Sequence, residues 1–258
     1  MTILLRTCGG IGNQLFQSNF AVLLADKYKS ANIYHLHSEN YDRVARWELD
    51  ILNFRSARGF YLLLLLLRIP RLMTYFKIRN KEYVRIGSLI IVDGYFLEKS
   101  NYELFCSQDI EQSIQYWRRI FDIEKNRCKK TLLHVRLGDF FVSNKERDLF
   151  LNNTFDQVDE EVDIITNDED LLLDCLRNKY YNKVKYCNIL STANFSSIEL
   201  LRLVAKYEKI WYNGSTFLFW GSILGGSTLT WNSSLPQEHY VVKNCKYLDQ
   251  LMKIFVSN

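Results

Sequence analysis

The sequence predicts an α/β protein in which parallel strands carry helices on both faces. Three observations lead there. The second half alternates short apolar runs with amphipathic stretches at the spacing of strand–helix–strand units. The chain opens the same way, with a buried strand, a glycine turn and an apolar helix. Charge is also segregated: between Phe54 and Arg85 there are eight Lys/Arg and one acid, Glu82, while between Leu149 and Leu176 there are nine acids and no Lys or Arg. Two lobes with different surfaces produce asymmetry of that kind. The 258 residues fit one large or two small domains, and we divide them into 1–127 and 128–258.

Ile3 to Leu5 reads as a short buried strand. Cys8-Gly9-Gly10-Ile11-Gly12-Asn13-Gln14 is a tight turn leading into a helix over Leu15 to Tyr28, where Phe16, Phe20, Leu23 and Leu24 share a face. Ala31 to Leu36 alternates as a second strand, and Ser88 to Val92 forms another ahead of Asp93-Gly94. Glu111 to Phe121 is an amphipathic helix with Ile114, Trp117 and Phe121 on one side. Further strands are expected over Thr131 to Arg136, Val162 to Thr166, Cys187 to Leu190, Lys209 to Tyr212 and Tyr240 to Val242. Helices are expected over Asp168 to Asn178, Ser197 to Tyr207, Ser215 to Leu224 and Tyr247 to Phe255. Asn167 has the chemistry of an N-cap for the first of these helices. In sheets of this class ligands bind beyond the carboxyl ends of the strands.

Composition excludes several classes. Hydrophobic residues make up 48% of the chain, with only 11 Gly and 2 Pro, which suits a folded core and no collagen-like or disordered segment. A net charge of +4 is too small to imply a nucleic-acid partner. The six cysteines form no CxxC pair and no zinc spacing, so they read as small buried hydrophobes in a reducing compartment. No signal-peptide pattern opens the sequence, and the longest apolar run, Phe60 to Leu67, is about one-third of a bilayer span. The expected location is therefore cytoplasmic.

That apolar run has basic flanks. Arg55, Arg58, Arg68 and Arg71 bracket it, and Lys77, Arg79, Lys81 and Arg85 follow. Residues 55–85 are expected either to touch an anionic membrane peripherally, at the inner face of the plasma membrane, or to form a core helix with a solvated basic edge.

Three segments could carry chemistry. Gly9 to Gln14 lies between a strand and a helix, where glycines let a backbone approach a phosphate or sugar, or simply make a turn. His134-Val135-Arg136-Leu137-Gly138-Asp139 ends a strand; His134 and Arg136 share a face, and the planar fork of Arg136 suits diphosphate oxygens or a structural pairing with Asp139. Gly214-Ser215-Thr216-Phe217 stands at a strand-to-helix junction, where small hydroxyls cap a helix or bind phosphate.

Taken together in this order, these segments make the chain resemble the α-1,2-fucosyltransferase family of bacteria and animals. That family opens with G-G-L-G-N-Q-hydrophobic-F-Q, matched by Gly9 to Gln17 with Ile11 for Leu. Its H-x-R-x-G-D-aromatic motif is matched at His134 to Phe140, and its N-S-T-F-S-W-W-G-A-x-L segment at Gly214 to Leu224. Gly94-Tyr95-Phe96 is similar to a further family element. Gly214 departs from the usual Asn, and Glu199 from the usual Asp one helix earlier.

The resemblance implies a GT-B-like fold: two facing Rossmann-like domains with parallel sheets, 1–127 on the acceptor side and 128–258 holding the nucleotide sugar. It implies inverting transfer of L-fucose from GDP-β-L-fucose to a hydroxyl, the 2-OH of galactose, of an oligosaccharide or lipid-linked glycan. No metal and no other cofactor are implied. It assigns Arg136, Asn13 and Asp139 to catalysis, and Gly10, Gly12, Asn13, His134, Arg136, Glu199, Ser215, Thr216 and Phe217 to the donor. Asp139, Asp93 and Glu98 are all candidates for the base that takes the acceptor proton.

Three rival readings follow from the same residues: transfer of another GDP-deoxysugar such as colitose, an inactive sugar-binding protein of the same fold, and a metal-dependent transferase using the D-x-D run Asp168-Glu169-Asp170. Acids in a helix's first turn are favoured by the helix dipole without any metal, so the expected metal site is none.

Overall fold

A computed structural model of the chain describes all residues except 30–31, 38–48, 50–51, 53, 71–81, 125–127, 138–142, 213, 232–239 and 257–258. The chain divides into two α/β units. Unit 1 comprises Met1–Ile120 with Gln250–Asn258, and unit 2 comprises Phe121–Asp249. The division thus falls at Phe121 rather than at 127/128, and the last nine residues group with unit 1.

Unit 1 is built on β1 (Thr2–Thr7), β2 (Asn32–His37), β3 (Arg55–Ser56), β4 (Tyr83–Ile86) and β5 (Leu89–Val92), in the order β3-β2-β1-β5-β4. β1, β2, β3 and β5 run parallel; β4 pairs antiparallel with β5 at the edge. The parallel expectation therefore holds for four strands and fails for β4, which a short Gly87 turn returns onto β5. β3 and β4 were too short to read from sequence. Successive residues of a strand point to opposite faces, and β4 shows the layering. Tyr83 meets Phe20 of α1 (Ile11–Lys27), with ring centroids 5.4 Å apart. Val84 joins the cluster of Leu4, Ala57, Ile91 and Leu65 on the opposite face, Leu65 coming from α2 (Gly59–Leu66). α3 (Ser107–Ile120) lies with α1, its buried Trp117 indole donating to Asn19 Oδ1 at 2.8 Å. Helices thus cover both faces of the sheet.

In unit 2 the strands β6 (Cys128–Val135), β7 (Val162–Thr166), β8 (Cys187–Ile189), β9 (Tyr207–Tyr212) and β10 (Thr228–Trp231) take the order β10-β9-β6-β7-β8, all parallel. The connecting helices are α4 (Asn144–Asp156), α5 (Glu169–Lys179), α6 (Ser197–Ala205) and α7 (Thr216–Gly225). Buried Asp163 on β7 ties the sheet laterally, accepting from Asn188 Nδ2 of β8 and the Tyr207 hydroxyl of β9, each at 2.7 Å. α7 is apolar all round because it is buried from Leu218 to Leu224. It approaches α6 backbone to backbone: a Cβ at Gly225 would lie 2.1 Å from the Ala205 carbonyl oxygen.

Tyr240 to Val242 is not a strand. It begins α8 (Tyr240–Val256), whose buried Cys245, Leu248, Leu251 and Phe255 keep helical period. The β-branched pair Val241-Val242 favours a strand locally, and the helix is instead fixed by the packing of this longer stripe. α4 went unread for the opposite reason: its apolar residues are sparse, and only Phe150, Leu151, Thr154 and Phe155 are buried. Of the cysteines, Cys8, Cys175 and Cys245 are buried, but Cys106 is exposed. Burial pushes the Cys245 thiol up to about 12.

Candidate functional site

Strand order marks where a ligand fits. In unit 2 the chain lays β6, β7 and β8 in sequence on one side, then crosses to place β9 and β10 on the other side of β6. The winding reverses between β6 and β9, and open α/β sheets bind ligands beyond the carboxyl ends of such a pair. Two of the predicted segments stand there. Arg136 is the first residue after β6, and Gly214 and Ser215 follow β9. Counted on from the register pair Leu133↔Trp211, Arg136 and Gly214 each stand three residues further along. Gly138, Asp139 and Phe140 lie outside the described residues.

Arg136 is exposed between two fully buried neighbours, Val135 and Leu137. The Leu137 peptide is clamped by Asn167 at the end of β7. Asn167 Oδ1 accepts from Leu137 N at 2.6 Å, and Asn167 Nδ2 donates to Leu137 O at 2.9 Å. Asn167 is therefore not the N-cap expected of it. That role belongs to Asp168, whose carboxylate accepts from Leu171 N at 3.0 Å. A planar amide pairs with both groups of a peptide as a strand would, whereas a cap needs only an acceptor; both chemistries suit Asn, and the 30-residue separation hides which is used.

Ser215 is the N-cap of α7, its hydroxyl accepting from Leu218 N at 3.5 Å. Accepting leaves the hydroxyl proton available to a ligand. Thr216 opens the helix, with Phe217 beside it; both are half-buried. Gly214 has φ 76°, in the left-handed region that Gly and Asn adopt most readily. The departure from Asn at Gly214 is thus conformationally conservative.

His134 lies one step inside β6. It lines a narrow recess of about 310 Å³, open mouth included, between α4 and the carboxyl halves of β6, β9 and β10, with Leu133, Trp211, Trp231 and Phe150. Glu199 stands on the first turn of α6 and is exposed. Its Oε2 accepts from Ser196 N and Ser196 Oγ, each at 2.8 Å, completing a capping box. The Ser196 backbone bond, more than its hydroxyl, holds the Glu199 carboxyl below the usual carboxylate range.

The acids of the D-x-D run are engaged locally. Asp168 caps α5, and Glu169 Oε1 accepts from Thr192 N at 3.3 Å. Among the described residues no three His, Cys, Asp or Glu side chains gather as metal ligands do.

Unit 1 has a switch point of its own, between β1 and β5. The glycine segment follows β1, and Asp93-Gly94-Tyr95-Phe96 follows β5. α1 begins at Ile11, so Gly12 and Asn13 belong to its first turn rather than to a loop, with Gly10 as N-cap. Gly9 takes φ 78°, and a Cβ there would meet Asn13 Nδ2 at 2.6 Å. Gln17 Oε1 accepts from Cys8 N at 3.0 Å, and Gln14 Nε2 donates to Gly9 O at 2.8 Å. A Cβ at Gly10 would meet nothing within 4 Å, so the helix start is open there. The segment after β5 is held by Glu82, whose carboxylate accepts from Tyr95 N at 2.7 Å, Phe96 N at 2.6 Å and Asn101 Nδ2 at 3.0 Å. Asp93 is 2% exposed and ion-paired with Arg68 at 3.2 Å, leaving it no open face for a hydroxyl; Glu98 is exposed. Sequence reasoning had no signal for Glu82, which acts across 13 residues.

No protein-family model matches the chain, and no curated protein matches it in sequence. Solved structures similar to it include the E. coli ADP-heptose LPS heptosyltransferase II, at 13% identity and TM-score 0.47 over 100% of this chain and 99% of that one. The S. aureus MnaA–UDP structure is similar at 9% identity and TM-score 0.46, over 100% and 88%. A glycosyl transferase family 9 protein from Veillonella parvula is similar at 10% identity and TM-score 0.41, over 100% and 98%.

Proposed function

We propose that the chain is a sugar-nucleotide glycosyltransferase of GT-B type, and specifically a GDP-fucose-dependent α-1,2-fucosyltransferase. It moves fucose with inversion to the 2-OH of a galactose on a glycan acceptor, without a metal. The observation that supports this most is the pairing, at unit 2's switch point, of the exposed fork of Arg136 with the hydroxyl-bearing N-terminus of α7. The ordered motifs of the resemblance supply the sugar and the base.

When the glycosidic bond breaks, negative charge builds on the β-phosphate. Arg136 answers it with two charge-assisted hydrogen bonds from a planar fork. Ser215, Thr216 and the amides opening α7 hold the remaining phosphate oxygens, since a helix N-terminus carries partial positive charge and points its N–H groups outward. These donors are fixed before charge develops, which is the condition under which they lower the barrier. Glu199 Oε1, beside the oxygen committed to Ser196, accepts from guanine. Asp139 is the base we assign to the acceptor hydroxyl.

Product analysis tests the proposal. The protein is incubated with GDP-fucose and a panel of galactose-terminated acceptors, and products are read by mass and NMR. A fucose at O2 of galactose is expected. Turnover only with another GDP-deoxysugar such as colitose overturns the fucose assignment, and no turnover with any GDP-sugar overturns the reading.

A further inference from the structure

We propose that the outer face of α2 in unit 1 is a docking surface for an anionic lipid bilayer. The eight residues Gly59–Leu66 form a helix with two apolar faces. The inner face, Tyr61, Leu64 and Leu65, packs on the sheet with Leu4, Val84 and Ile91. Among the described residues the outer face stands exposed. Phe60 is 67% exposed, Leu63 52%, Leu66 57% and Leu67 49%. Phe60, Leu63 and Leu67 recur at helical spacing, so they form one stripe rather than scattered residues. The sheet accounts for one side of this Leu-rich run and for none of the other.

Charge at the helix start points to the occupant. Arg55 and Arg58 flank the stripe and are exposed, Arg58 at the N-cap and Arg55 stacked 5.9 Å from the Tyr34 ring. Arg68 at the other end is engaged by Asp93 and is not counted. Apolar side chains with basic residues beside them match the boundary between acyl chains and anionic headgroups. The helix is about 12 Å long, too short to span, and no described helix is long and apolar enough to cross a membrane. A stripe of that length also falls well short of the about 800 Å² per partner that a stable protein interface takes, which disfavours a second copy of this chain. The exposed side chains of the stripe, Phe60, Leu63, Leu66 and Leu67, carry no hydrogen-bonding group by which a protein partner would be selected.

Sedimentation with vesicles tests this without any assay of activity, so its outcome is separate from that of the proposed transfer reaction. The full chain is mixed with phosphatidylcholine vesicles containing or lacking phosphatidylglycerol, at low and at high salt. Binding is expected with phosphatidylglycerol at low salt, and weaker binding at high salt. Arg55→Ala with Arg58→Ala should weaken partitioning about twenty-fivefold, at about fivefold for each arginine. Leu63→Ser with Leu67→Ser should abolish it at either salt, and far-UV circular dichroism should be unchanged because both side chains face solvent. Absence of binding to phosphatidylglycerol vesicles at low salt overturns the proposal. So does binding that survives the two leucine substitutions, or a wild-type dimer that those substitutions dissociate.

Discussion

Replacing Asn167 by Ala should loosen the segment that carries Arg136. The wild-type amide makes two hydrogen bonds to Leu137, at 2.6 and 2.9 Å, and Leu137 is fully buried. At about 1 kcal/mol net per bond, the loss is about 2 kcal/mol, and more if water cannot follow into the space. With about 2.1 cal/mol/K of unfolding entropy per residue, that lowers Tm by about 7 °C if unit 2 unfolds alone and about 4 °C if the chain unfolds as one. A displacement of Arg136 by about 1 Å should also cost about a hundredfold in kcat. Asn167→Asp keeps the acceptor for Leu137 N and loses the donor to Leu137 O, so folding favours its protonated form. Its folded pKa is then raised, and its stability should recover as pH falls toward the carboxylate range, where the carboxyl donates again. Thermal melts across pH and initial rates with the donor check this. A melt within about 0.5 kcal/mol of wild type, together with unchanged kcat for Asn167→Ala, would refute the clamp.

Three further outcomes are expected. Arg136→Lys should be nearly as damaging as Arg136→Ala, in kcat more than in KM, because a point charge does not replace a fork; steady-state kinetics retaining more than about a tenth of activity would show that charge alone matters. Turnover should survive excess EDTA, and a fall beyond about tenfold that Mn²⁺ restores would contradict the phosphate-clamp mechanism. Gly225→Ala should destabilise by about 2 kcal/mol or more in urea titration, since its Cβ would lie 2.1 Å from the backbone oxygen of Ala205, which cannot swing aside as a side chain does.

Much of this was legible in sequence, and the reasons differ by element. β7, Val162–Thr166, is a short run of β-branched residues around Asp163, set between Glu161 and Asn167, and falls where the pattern puts it. α7 was legible because Ser215 caps one end and Gly226, with φ 70°, stops the other. The predicted site segments proved to be strand-to-helix junctions because glycine and hydroxyl residues signal such junctions locally. The partners that fix them did not show, for Asn167 pairs with Leu137 across 30 residues and Glu82 with Phe96 across 14. Val241 and Val242 misled because β-branching is a local preference that long-range packing overrides. The two faces of α2 look alike in sequence, all leucine and aromatic, and only the sheet beneath one of them tells them apart.

Calorimetric titration with GDP is the most direct test of the account. Wild-type protein should bind GDP at least tenfold more tightly than UDP, with guanosine alone bound weakly. Arg136→Ala should reduce GDP affinity by two or more hydrogen bonds to charge, a loss of roughly 3 kcal/mol or about a hundredfold, while leaving guanosine binding unchanged. Failure to bind GDP, or equal GDP affinity in wild type and Arg136→Ala, would contradict the claim that unit 2 holds a sugar nucleotide through its diphosphate at the β6–β9 switch point.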